Sequence, residues 1–184
     1  MSWDAFHRRG AVLRTVVEVA NQRRDGALPT DVPGVAETFA DDAELVAALQ
    51  LRWHTRLAGR IERALSEDPF ALEPAVLNAW RRTASELAGV RAVLDSCADR
   101  STDAQLTEAL ERANRKDWVL MAVMAGRASA QDGAAAEVGR RLEQQARAGF
   151  DPSDSLASTI TATTHRTPPE RGRLLDRLLA HLAA

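Results

Sequence analysis

The chain has 184 residues and a formal net charge of −2, long enough for a core that needs no disulfide or metal to hold it. Apolar residues make up 45% and charged residues 27%, an ordinary soluble composition that lacks the strongly basic balance of a nucleic-acid binder. One cysteine, Cys97, excludes an intramolecular disulfide and a thiolate metal cluster.

The residue types favour helices. There are 35 alanines, no tyrosine and only 4% aromatic residues, which suits close helix packing and leaves little bulk for sheets. Lys116 is the only lysine among 24 basic residues. That bias fits codon pressure in a GC-rich bacterial genome, so arginine abundance alone carries no functional meaning. The first twenty residues carry charges throughout and lack a continuous apolar stretch, so no signal peptide is expected. No run approaches ~18 apolar residues, so no membrane span is expected either, and a bacterial cytoplasmic location follows.

In chain order, the first helix shows a narrow seam of Trp3, Phe6, Gly10, Leu13, Val17 and Ala20 after a Ser2 cap. Residues 25–34, with two prolines, read as a loop, and VAETFA as a short helical piece. Asp41 and Asp42 cap a long helix over about 42–66, which Asp68-Pro69 stops. Pro74 suits the first turn of the next helix, to about Leu87, with Val76, Leu77, Trp80 and Ala84 inward. Gly89 breaks it, and VRAVLDSCA forms a short fourth element.

Ser101 or Thr102 caps a fifth long helix to about Arg127, whose apolar run WVLMAVMAG predicts a central position. AAAEVGRRLEQQARA forms the next, closed by Gly149. SLASTITATTH reads as a helix or a loop. Thr167-Pro168-Pro169-Glu170 opens a final amphipathic helix at about 168–183, with Leu174, Leu175, Leu178, Leu179 and Leu182 on it. No stretch alternates with period 2 for long enough to be a strand. The expected fold is all-α, a single-domain bundle of about seven helices over residues 1–184.

One stretch raises a functional question. In LRWHTRLAGRIERAL, Arg52, Arg56, Arg60 and Arg63 fall within an arc of about 80° on one helix, beside Trp53, Leu57 and Ile61. Guanidinium forks suit carboxylates and phosphates, yet a solvated helix face looks the same. Asp117 projects from the core face of the fifth long helix, where a carboxylate is costly without a partner. Arg60 is its expected partner, with Arg56 and His54 close by.

Other chemistry finds little support. Asp4-x-x-His7 is half of a metal pair at best, there is no Glu-x-x-His or HExxH, and the four histidines sit on different segments. There is no G-x-S-x-G, no S-x-x-K and no phosphate loop. Cys97 reads as a small buried hydrophobe rather than a nucleophile. TASELAGVRAVLDSC has the outline of a helix-turn-helix, but Asp95 and Asp99 would turn like charge toward phosphates. No catalytic residue, metal or cofactor is therefore expected.

Two functions remain. The favoured one is a non-catalytic bundle acting as an interaction or regulatory protein, with a protein partner and a homodimer formed through apolar helix faces. The alternative is a bundle that binds an anionic small molecule, with or without catalysis. Its ligand would lie between the second and fifth long helices, against Arg56, Arg60, His54 and Asp117.

Overall fold

A computed structural model describes residues 3–150 of the chain. The chain divides into two units, residues 1–150 and 151–184, and the described residues belong to the first. SLASTITATTH and the amphipathic helix expected at 168–183 lie outside the described residues. Those described are 77% helical with no strand, in seven helices, as the composition predicts.

The elements are α1 (Trp3–Arg23), α2 (Val35–Thr38), α3 (Asp42–Glu67), α4 (Leu72–Glu86), α5 (Ala88–Arg100), α6 (Ala104–Met124) and α7 (Ala135–Ala148). The capping residues explain several of these bounds. Asp41 accepts from the Glu44 amide at 2.8 Å, and the Glu44 carboxylate reaches back to the Ala40 amide at 2.7 Å. This reciprocal pair resembles a capping box and starts α3 where the sequence places it. Pro74 falls in the first turn of α4, where a missing N–H costs nothing.

The cap of α6 is Asp103, which accepts from the Gln105 and Leu106 amides at 2.8 and 3.2 Å. Neither expected cap, Ser101 or Thr102, takes the position; Ser101 instead accepts from the Asp103 amide at 3.1 Å. A carboxylate is the better acceptor for two orphan amides, and it takes the position. The helix also ends earlier than expected, because Gly126 turns the chain through a positive φ of 66°.

Gly89 breaks nothing. It sits in α5, which follows α4 across the single residue Leu87. The Asn21 side chain, on α1, holds this corner. Its Oδ1 accepts from the amides of Gly89 (3.0 Å) and Val90 (3.4 Å), while its Nδ2 donates to the Glu86 carbonyl at 3.1 Å. A side chain from another helix thus caps α5 in place of a loop. The glycine is required for contact: a Cβ there would lie 1.8 Å from the Ala20 carbonyl oxygen. Gly139 of α7 plays the same part against Trp118 of α6, again at 1.8 Å.

Two packing expectations change. The seam of α1 makes contact in its second half: Ala20 is buried and Leu13 and Val17 pack partly buried against the core, beside the sealed Val16, whereas Phe6 is 63% exposed. The second half of α1 meets the bundle through the Ala20–Gly89 approach. The central helix is α3, not α6. Leu45, Val46, Leu49, Trp53, Leu57 and Ile61 of α3 are sealed, while Val119, Leu120 and Val123 of α6 are only half-buried. α4 buries Val76, Leu77, Trp80 and Ala84 as predicted. At roughly 1.5–3 kcal/mol for each large side chain, the α3 stripe supplies the largest share of the packing.

Candidate functional site

The four residues singled out in the sequence form two separate groups, on different faces of α3. Arg56 and Arg60 face α4. Arg56 donates from Nε to Glu86 at 2.9 Å and pairs through Nη2 at 2.7 Å, and Arg60 binds the same carboxylate. Burial works against the charge on Glu86, but the bonds from Arg60 and Arg56 outweigh it and hold its carboxyl below the ordinary range. The expected Arg60–Asp117 pair does not form. Glu86 ends α4, the antiparallel neighbour, and lies within reach of both guanidinium groups; it takes both.

These arginines also line a groove of about 360 Å³ between α3 and α4, with Arg63 and Arg82 but also Glu67 and Asp68. Its walls are of mixed sign. Arg60 keeps one buried Nε–H without a partner among the described residues.

His54 and Asp117 form the other group, toward α6. Asp117 is buried, 4% exposed, as its place on the core face predicts. Its Oδ1 lies 2.5 Å from His54 Nδ1, a separation that requires one shared proton, and its Oδ2 accepts from Gln50 Nε2 at 3.1 Å. Gln50 and His54 are one turn apart on α3, so a single face of that helix supplies both contacts. Burial pushes the Asp117 carboxyl above its ordinary value; the hydrogen bond and charge of His54, and the charge of Arg91, only partly oppose this. Gln50 Oε1 is buried without a partner among the described residues.

The His54 side chain is 42% exposed and opens on a cleft of about 480 Å³ between α3 and α6. Val46, Leu106 and Leu110 give the cleft apolar walls, and Ala47, Ala109 and Ala113 leave room in it. Its lining runs from Asp41 to His54 on one helix and from Asp103 to Lys116 on the other, so the two segments run in the same direction. Their positive ends lie side by side, each neutralised by its own aspartate cap.

A second polar layer, unread in the sequence, lies behind Asp117. Arg91, 7% exposed, stacks over the Trp53 ring at 4.9 Å and pairs with Asp95 at 2.8 Å. Arg147 of α7 grips the same Asp95 at 2.9 Å with two nitrogens and also binds Glu143, which accepts from the Trp118 indole. Burial opposes ionisation of Asp95, yet Arg147 and Arg91 hold its carboxyl below the ordinary range. Asp95 therefore ties α5 to α7. The signal was the i, i+4 spacing of Arg91 and Asp95. The α7 partner had none.

Chemically, an imidazole held by a buried carboxylate on one nitrogen, with the other ring edge toward a cleft, can orient a ligand and exchange a proton with it. Among the described residues lining this cleft there is no serine, threonine or cysteine, so its walls carry no hydroxyl or thiol nucleophile. Among the described residues, no group of three or more His, Cys, Asp or Glu side chains could hold a metal ion. Cys97 is half-buried against the core, and burial raises its thiol. No described helix is long and apolar enough to cross a membrane. No protein-family model, curated protein or solved structure matches the chain.

Proposed function

We propose that the protein is a helical bundle that binds a small molecule in the α3/α6 cleft, with His54 as the polar contact and Asp117 as the group that positions it. The observation that carries this reading is how the buried carboxylate is used. Asp117 is almost fully enclosed, yet its partner is a half-exposed imidazole on the wall of an apolar cleft. A link between two core helices is made at lower cost by apolar side chains, so an ionisable pair kept at a cleft favours a site. The cleft's size and its apolar walls with few polar groups are those of small-molecule pockets. Arg56 and Arg60 have no part in it, since Glu86 holds them on the other face of α3. The reading includes a cytoplasmic location, which suits a chain with a single cysteine.

The test is a fragment screen by NMR, read on the His54 ring and the cleft methyl groups, in the natural chain and in Ala113→Trp. Ala113 lines the cleft beside Asp117, and an indole there fills it. Apolar fragments are expected to shift the His54 and Leu106 signals and to lose that effect in the variant. Fragments that bind without touching those signals, or that bind the variant equally well, would overturn the reading.

A second reading, an interaction protein that forms a homodimer, has one observation in its favour: Phe6 is 63% exposed on α1. Light scattering of the natural chain and of Phe6→Ser tests it. A dimer that the substitution dissociates supports it, and a natural chain that stays at 20 kDa at micromolar concentration refutes it.

A further inference from the structure

We infer that the ligand of the α3/α6 cleft is an amphipathic monoanion: a carboxylate carried on an unbranched hydrocarbon chain of medium length. This rests on the ligand-binding reading above and adds the chemical class. The cleft is polarised from end to end. At one end, the carboxylates of Asp41 and Asp103 are engaged by the first amides of α3 and α6. They neutralise the two helix ends and leave nothing there to attract an anion.

At the other end stand Lys116 and His54. Lys116 is exposed and makes no ion pair among the described residues. Asp117, its neighbour in the chain, is enclosed and engaged by His54 and Gln50. This end therefore offers the Lys116 ammonium and the open ring edge of His54 to a ligand.

Between the two ends the walls are Val46, Leu106 and Leu110, with the gaps left by alanines. From Asp41 to His54 the cleft follows thirteen helical steps, about 20 Å at ~1.5 Å each. That length suits a chain rather than a compact ring. The head-group donors are few and separate, with no guanidinium fork and no cradle of amides, so a single carboxylate fits them better than a phosphate. A cationic head would meet Lys116, and a neutral head would leave it unused.

The experiment is calorimetric titration of the full chain with decanoate, decanol and decylamine below their aggregation concentrations. Each titration is repeated with Lys116→Met and with Ala113→Trp, and helicity is checked by circular dichroism. Decanoate is expected to bind the natural chain at least tenfold more tightly than decanol, with decylamine weakest. Lys116→Met should bring decanoate and decanol to within threefold of each other, and Ala113→Trp should abolish binding of both. Equal binding of all three head groups, lost only in Ala113→Trp, would overturn the monoanion and leave the cleft as a ligand site. A preference for decanoate unchanged by Lys116→Met would overturn the head-group assignment. Failure of all three to bind the natural chain, or binding untouched by Ala113→Trp, would remove the cleft as their site and this inference with it.

Discussion

Replacing Asp117 by alanine tests the pairing on which the site depends. Three effects follow from its surroundings. Gln50 is 6% exposed, so its Nε2–H, now bonded to Asp117, is left buried without an acceptor, at about 1–3 kcal/mol. The bond to His54 is lost as well, but the half-exposed imidazole turns to water, so this part costs about 0.5–1.5 kcal/mol. Against both stands relief from a buried carboxylate that burial already pushes toward protonation. The net expectation is a destabilisation of about 2 kcal/mol.

The sharper quantity is the coupling. In a cycle of Asp117→Ala with His54→Ala, chemical denaturation should give an interaction energy of about 1 kcal/mol, well beyond the ~0.5 kcal/mol scatter of independent sites. The cycle of Asp117→Ala with Arg60→Ala should be additive, because Arg60 binds Glu86 and is not among the charges that act on Asp117. Coupling to Arg60 with additivity to His54 would refute the arrangement and restore the pair that the sequence alone suggests.

Gly89→Ala and Gly139→Ala should each cost about 2–3 kcal/mol, since a methyl group there meets a neighbouring carbonyl oxygen. Gly59→Ala, with open space at the same atom, should stabilise by about 0.5–1 kcal/mol; thermal melts of the three variants check both signs. Glu86→Ala releases two guanidinium groups and should cost about 1 kcal/mol in dilute buffer. That cost should shrink in 1 M salt, where half-exposed pairs are screened. The acid limb of the stability curve should separate two aspartates. Asp95 is held below the ordinary value, so its contribution is present above that value and is lost as pH falls through the lowered one. Asp117 is raised, so the native state holds the extra proton, and stability falls as pH climbs from about 4 through the raised value. Denaturation against pH should therefore lose its acid-side drop in Asp95→Asn and its opposite slope in Asp117→Asn.

The helices were legible because their signals are local. Asp41 three residues before Glu44, a proline in a first turn and a glycine after a last one each act within a few residues. The burial of Asp117 was legible too, since its position on an apolar face requires it. Its partner was not. His54 and Arg60 are six residues apart, so at 100° per residue their directions differ by about 120°, and only one can face α6. Which one does depends on how α3 is rotated, and sealing Trp53, Leu57 and Ile61 among α4, α5 and α6 settles that rotation. Gly89 misled for a related reason: its function is a contact with a helix nearly seventy residues earlier, to which no local pattern points. Asn21, which caps α5 from α1, is the same lesson in a polar side chain.

The most direct test of the account is long-range 15N–1H NMR of the His54 ring, in a chain with only four histidines to assign. The account predicts an Nδ1 held in a strong hydrogen bond, lost in Asp117→Ala, and an Nε2 that shifts when decanoate enters the cleft. A His54 ring indifferent to both Asp117→Ala and decanoate, behaving as a free surface imidazole, would contradict it.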